Sequence, residues 1–375
     1  MRPPAARRFE RSPHLVALIA EVERLAARVG GAPADARQQL SDSRQLEAVH
    51  ATLALDGATP DTLPSPARAR EIVADTLAET LTDAAATAPA AGVDPRDRRG
   101  SWLDTLRVVE EGVDTTIAAL ELLGALAADD SDDLTDTVFA DPGATLTELH
   151  RRLTRGLVAP ERAGAPRLHD QAVHDGATGR IVHLTTPPVD LPRELALLTA
   201  WLTGEGAREH GVVTSGVLHL ELLRLHPFDA ANGRLARAAA RVVLRARGLD
   251  PDHLAVPEPA LAADPLGVAE EVARTLRRRD LTVWLERWAE AVADGLRGSA
   301  RALGVLDAAP LPAARDFVAA HPRCTIAEYR AALGAEPEQA RGQLLELLDA
   351  GMIRRVPGSR GLRFEHLLAP PADLD

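Results

Sequence analysis

The stretch His226-Pro227-Phe228-Asp229-Ala230-Ala231-Asn232-Gly233-Arg234-Leu235-Ala236-Arg237 joins two apolar helical runs and carries more polar function than a connection needs. Pro227 disfavours helical backbone at the residue before it, so the preceding helix is predicted to end at Leu225. Asn232 and Gly233 tolerate unusual backbone angles and are predicted to open the next helix, with Asn232 as a good N-cap. The first turn of that helix offers free N–H groups and the positive end of a dipole. Arg234 and Arg237 are three apart and share one helical face. Backbone donors with two guanidinium forks make a phosphate site. His226, at the other end of the loop, is placed to act as a base beside that phosphate. The pattern predicts a loop that holds a polyphosphate and deprotonates something attacking it. The plainer alternative, a joint with solvated arginines and a capping histidine, leaves this convergence unexplained.

The elements that must position the loop are mostly helical. Helices are predicted over "HLVALIAEVERLAARV", stopped by Gly30-Gly31, and over "SDSRQLEAVHATLAL", with Ser41 or Asp42 as N-cap and Gly57 beyond its end. "ARAREIVADTLAETL" and "WLDTLRVVEEGVDTTIAALELLGAL" follow, then "TLTELHRRLTRGL" with a capping box of Thr145 and Glu148. "DQAVH" and "RIVHLTT" are strand-like and flank Asp175-Gly176 and Gly179, which predicts a hairpin. Helices resume to about residue 303, the stretch from Pro265 reading as one long or two shorter ones. From Leu311 the order is three helices, the second capped by Thr325 and Glu328, then a hairpin tipped by Gly-Ser-Arg-Gly, an order that matches a winged helix.

Composition narrows the classes. The chain has 375 residues, enough for two or three domains, and no apolar run near the roughly 18 residues of a membrane span. Cys324 is the sole cysteine, which excludes an internal disulfide framework and a cysteine-built metal site. A net charge of -12 argues against broad binding to nucleic acid or anionic lipid. The arginine-rich start lacks a signal peptide's apolar core, so a cytoplasmic location without membrane contact is expected. His169, His174 and His183 match no common ligand spacing. His150 and His219 lie in apolar helices and read as satisfied core residues. The four tryptophans read as packing.

The loop is similar to the signature of the Fic family, HPFx(D/E)GN(G/K)RxxR, and matches it at His226, Pro227, Phe228, Asn232, Gly233, Arg234 and Arg237. The resemblance covers roughly residues 40 to 295. It implies a mainly α fold: an N-terminal helical region (1–130) with an inhibitory helix at about 41–57, a Fic core (131–300) with a small β-hairpin flap, and the winged helix (308–375). It implies transfer of AMP from ATP to a Ser, Thr or Tyr hydroxyl of a target protein. In that reading His226 takes the hydroxyl proton and Phe228 anchors the loop. Asn232 and Gly233 line an anion hole, while Arg234 and Arg237 bind the β- and γ-phosphates. The flap, about 171–185, would pair with an extended target segment.

Two further features bear on this resemblance. Residues 52–57 read "TLALDG" and resemble the family's inhibitory (S/T)xxxE(G/N) motif at Thr52, Asp56 and Gly57, with Asp in place of Glu. Its carboxylate would pair Arg237 and compete with the γ-phosphate. The family's Mg2+-binding acid, however, is replaced by Ala230, and an acid stands one place early at Asp229. Three outcomes are open: Asp229 supplies the metal ligand; another donor or less metal is used; or the site binds nucleotide without transferring it. A regulator acting through winged-helix contact with DNA is the remaining function class. The acidic third helix is a poor surface for phosphates, whereas Arg354, Arg355, Arg360 and Arg363 could make the wing basic. A homodimer is carried as a partner expectation.

Overall fold

The structure, a computed structural model, describes residues 8–57, 63–75, 111–174, 181–306, 311–356 and 363–366. Helix α1 (Pro13–Gly30) starts behind Ser12, whose hydroxyl accepts from the Leu15 N–H. Helix α2 (Ala34–Leu55) begins well ahead of the expected cap at Ser41 or Asp42, and Ser41 is buried within it. Pro33 sets the start, and the intervening Ala, Asp, Arg, Gln and Leu contain no breaker. Helix α3 (Glu111–Asp129) follows, then α4 (Pro142–Leu153). The cap of α4 is Asp141, whose carboxylate accepts from Ala144, not the predicted Thr145–Glu148 box. Glu148 instead pairs with Arg152 at 3.1 Å, one turn on.

Strands β1 (Ala172–His174) and β2 (Ile181–Leu184) pair antiparallel with Val173 opposite His183. The predicted turn at Asp175-Gly176 and Gly179 lies outside the described residues. Helices α5 (Leu191–Thr203), α6 (Gly211–Leu225), α7 (Asn232–Ala246) and α8 (Glu258–Ala262) follow. The stretch from Pro265 resolves into two helices, α9 (Pro265–Arg278) and α10 (Thr282–Ala302), separated where Arg279 takes φ 54.

Helix α6 is the centre of the core: every residue from Gly211 to Leu222 is buried, as expected of a helix surrounded on all sides. Trp284 and Trp288 of α10 lie against it, and their indole N–H groups donate to Gly216 O and Ser215 Oγ, both at 2.8 Å. A Cβ at Gly216 would stand 2.8 Å from the Trp288 ring, so glycine permits this close crossing. His219 is buried between the two indoles.

The C-terminal elements are α11 (Pro312–Ala320), β3 (Arg323–Thr325), α12 (Ile326–Leu333), α13 (Pro337–Asp349), β4 (Ile353–Arg355) and β5 (Arg363–His366). Their sheet runs β3-β5-β4, and β3 is an addition to the predicted hairpin: three residues are too few to show a period in sequence. The Thr325–Glu328 capping box is present, whereas the Gly-Ser-Arg-Gly tip lies outside the described residues. Phe317, Val318, Tyr329, Leu344, Leu347 and Phe364 build a second core.

A buried ionic cluster ties this part to α1 and α10. Glu21 contacts Arg297 and reaches Arg355 at 2.7 Å; Asp349 reaches Arg297 at 3.1 Å and Arg24 at 3.2 Å. Glu21 is the carboxylate that Arg297 and Arg355 share, and without it Arg355 keeps only Asp294, which Arg297 also uses. Glu21→Ala is therefore expected to lose about 3–5 kcal/mol in denaturant unfolding.

Candidate phosphate site and its covering carboxylate

Helix α6 ends at His226, which takes the left-handed conformation at φ 43 and ψ 61, as the proline after it requires a non-helical exit. Its Nδ1 lies 2.7 Å from the Leu223 carbonyl. A carbonyl oxygen only accepts, so Nδ1 carries the proton and Nε2 keeps its lone pair. Burial lowers the imidazole pKa to about 4, opposed by the hydrogen bond to Leu223 and helped by neighbouring His183 and Arg167. The ring is therefore neutral near pH 7. His183, on β2, stands 6.2 Å away between ring centroids, and its Nε2 lies 3.1 Å from the same carbonyl.

Three groups fix the loop. Arg167 is buried and donates to the carbonyls of His226 (2.6 Å), His169 (2.5 Å) and Leu225 (3.2 Å), and to Thr185 Oγ1 (3.0 Å) and the Thr186 carbonyl. It thus joins the loop to the foot of the hairpin. Phe228 is buried and stacks on His150 with centroids 4.1 Å apart. His150 takes a hydrogen bond from the Gly164 N–H at 2.8 Å through Nδ1, leaving Nε2–H to meet the Ala230 carbonyl at 3.2 Å. Burial holds its pKa down to about 4.

The helix opens differently from the sequence expectation. The N-cap of α7 is Ala231, at φ 56 and ψ 22, with no side-chain cap. Asn232 is already helical and folds its side chain back: Oδ1 accepts from the Phe228 N–H at 3.0 Å and Nδ2 donates to the Phe228 carbonyl at 2.8 Å. A cap would have left that loop open; the reciprocal pair closes it. What Asn232 and Gly233 present to an anion is backbone N–H in the first turn. Alanine in this conformation carries a Cβ penalty of about 1 kcal/mol. Ala231→Gly is expected to raise stability by about that amount, seen as a higher unfolding temperature.

The arginines meet the distant motif. Asp56 caps α2, and Gly57 after it has φ 98, which favours glycine. Asp56 Oδ1 is 2.6 Å from Arg237 Nη2, and Oδ2 is 3.1 Å from Arg234 Nε. Thr52 accepts from Arg237 twice, through its hydroxyl and, at 2.9 Å, its carbonyl. A Cβ at position 233 would lie 2.9 Å from Asp56 Oδ1, so Gly233 admits the carboxylate. Arg234 also pairs with Glu121 of α3 at 3.0 Å. Its Nη1 is buried and has no acceptor among the described residues.

Asp229, the sequence's choice of metal ligand, sits elsewhere. Its Oδ2 receives both Nε (2.9 Å) and Nη2 (2.6 Å) of Arg162. Position 230 offers only a methyl group, and no three His, Cys, Asp or Glu side chains gather to hold a metal among the described residues. The residues present do not fit a protein-held cation. Arg167, Arg162, His150 and Glu121 escaped sequence reading as site residues. His150 alone carries a signal, a polar ring in an apolar helix, which by sequence reads as a core residue.

Known proteins resemble this chain as follows. Residues 142–244 match the Fic/DOC family, so this segment is similar to a Fic core. It is 38% identical over 71 residues to a uridine 5'-monophosphate transferase of Xanthomonas campestris pv. campestris, covering 17% of this chain and 13% of that protein. It is 29% identical over 107 residues to a protein adenylyltransferase Fic of Nematostella vectensis, covering 28% of this chain and 23% of that protein. The matched stretch is therefore under a quarter of either relative. The fold resembles that of a Fic family protein from Desulfovibrio desulfuricans G20, with TM-score 0.58, 20% identity and coverage of 99% of this chain and 100% of that one. Among the described residues no helix is long and apolar enough to cross a membrane.

Proposed function

We propose that the protein is a nucleotidyltransferase acting on proteins, which moves AMP from ATP to a Ser, Thr or Tyr hydroxyl and is held in check by its own N-terminal helix. One observation carries this reading: an anion site, built of two arginines and a helix N-terminus, is already filled by the Asp56 carboxylate. When Asp56 withdraws, Arg234 and Arg237 receive the donor's β- and γ-phosphates, and the first-turn N–H groups of α7 face the α-phosphate. His226 Nε2 takes the proton of the target hydroxyl as that oxygen bonds to the α-phosphorus. The bond from the α-phosphorus to the bridging oxygen breaks, and pyrophosphate leaves with the electron pair. Mg2+ enters this reading only as a companion of the nucleotide, bound by phosphates and water.

The relative that is named a uridine 5'-monophosphate transferase favours a second reading of the donor, uridylyl in place of adenylyl. The target belongs to the flap: β1 and β2 form a two-stranded ribbon with Ile181 and Leu184 exposed, suited to strand addition. We read the C-terminal elements as a winged helix that serves structure or recruitment in a cytoplasmic protein. Its third helix, α13, ends in Asp349, buried against Arg297, which disfavours DNA contact through that end. Dimer formation stays part of the proposal for how the brake is released. The test incubates wild type, Asp56→Gly and His226→Ala with α-labelled ATP or UTP. Protein labelling strong in Asp56→Gly, weak in wild type and absent in His226→Ala is expected. Equal labelling of all three would overturn both the brake and the base.

A further inference from the structure

The last carbonyls of α6 are met from outside their own helix. A helix leaves its final C=O groups without an N–H, and Pro227 has none to offer Leu223. The Leu223 carbonyl accepts instead from two imidazoles, His226 Nδ1 at 2.7 Å and His183 Nε2 of strand β2 at 3.1 Å. Its two lone pairs can serve both. The Arg224 carbonyl accepts from the Thr186 N–H at 3.1 Å, two residues beyond β2. The carbonyls of Leu225 and His226 accept from Arg167. The end of α6 is thus capped from the flap side, and the flap strand and the histidine base meet on one oxygen.

His183 is a poor choice for packing alone. A carbonyl only accepts, so His183 Nε2 carries the hydrogen, and burial keeps the ring neutral by lowering its pKa. Its Nδ1 is then a bare lone pair, buried and without a hydrogen-bond partner among the described residues. An apolar side chain would leave nothing orphaned here, because the Leu223 carbonyl would still have His226 as its donor.

We propose that His183 is a positioning residue, which fixes the flap in register with His226 so that a target segment added to the flap presents its hydroxyl to Nε2 of the base. This inference rests on the nucleotidyltransferase reading above and assigns the link between target strand and base to one hydrogen bond. The polar contact of His183 is with α6, not with Arg234, Arg237 or the first turn of α7, so nucleotide affinity should not follow it.

The experiment places His183→Leu and His183→Gln in the Asp56→Gly background and measures protein labelling with α-labelled ATP, calorimetric ATP binding and thermal unfolding. Leucine removes both nitrogens, whereas glutamine returns an N–H donor near the place of Nε2. Leucine is expected to slow labelling by about 10–100-fold, the effect of a reactant misplaced by roughly 1 Å, with ATP affinity and unfolding temperature held. Glutamine is expected to label within about threefold of its parent. Labelling by the leucine variant at the parent rate overturns the proposal. So does a glutamine variant as slow as leucine, because the ring and not its donor would then matter. His183→Phe, which keeps the ring, replaces leucine should the smaller side chain prevent folding. A fall in labelling matched by an equal loss of ATP affinity or by early unfolding would mark a structural residue and also overturn the proposal. If the Asp56→Gly parent shows no His226-dependent labelling with ATP or UTP, the nucleotidyltransferase reading fails, and this inference with it.

Discussion

Replacing His226 with alanine or asparagine is expected to lower protein labelling by about 10²–10⁴-fold in the Asp56→Gly background, with nucleotide affinity held within a few-fold. The split follows from geometry. In the proposed function His226 acts through an unprotonated Nε2, while phosphate binding is assigned to α7 and the two arginines. Asparagine is included because the residue sits at φ 43, where it is tolerated better than alanine. A parallel loss of affinity would mean that the histidine holds the loop rather than the proton. The pH profile gives a second check. A base whose pKa is lowered to about 4 is deprotonated through neutral pH, so labelling should stay level from pH 8 to about 5 and fall toward 4. A fall centred near 6.5 would show an imidazole not depressed by burial.

The same histidines shape stability. Burial lowers His150 and His226 to about 4 and His219 to about 3. The unfolded chain takes up these protons near pH 6.5, before the folded chain can. Stability therefore declines as pH falls below 6.5, by about 1.4 kcal/mol per pH unit for each proton. Labelling rates at the acid end belong only to samples shown to remain folded.

Asp56→Gly is expected to raise ATP affinity by about 10–100-fold, the size of a coupling of roughly 1–3 kcal/mol between a site and its competitor. The carboxylate now seated 2.6 Å from Arg237 Nη2 occupies the place that the proposed function gives to a terminal phosphate. Asp56→Glu serves as the opposing control: one more methylene keeps the charge, and ATP binding should remain weak. Gly233→Ala, which sets a methyl 2.9 Å from Asp56 Oδ1, should disturb the brake from the other side. Unchanged ATP affinity in Asp56→Gly would show that the ion pairs join two helices without gating anything.

By itself the sequence determined the polar loop and its likeness to Fic, the mainly helical class, the end of α6 at Leu225 and the hairpin before α5. These depend on rules acting over a few residues: a proline restricts its predecessor, glycines end helices, and three-residue spacing places Arg234 and Arg237 on one face. The pairing of Asp56 with Arg237 spans 181 positions and was legible only through the likeness to an inhibitory motif. Tertiary structure alone decided the rest. Arg167 bonds to five acceptors because two chain segments converge on it, and no local pattern announces that. Ala231 rather than Asn232 caps α7, because the Asn232 side chain closes the loop on Phe228. Asp229 turns to Arg162, and Glu121 arrives beside Arg234 on a helix more than a hundred residues upstream. Spacing along a chain tells which side chains share a face; which faces meet is settled by burying the core.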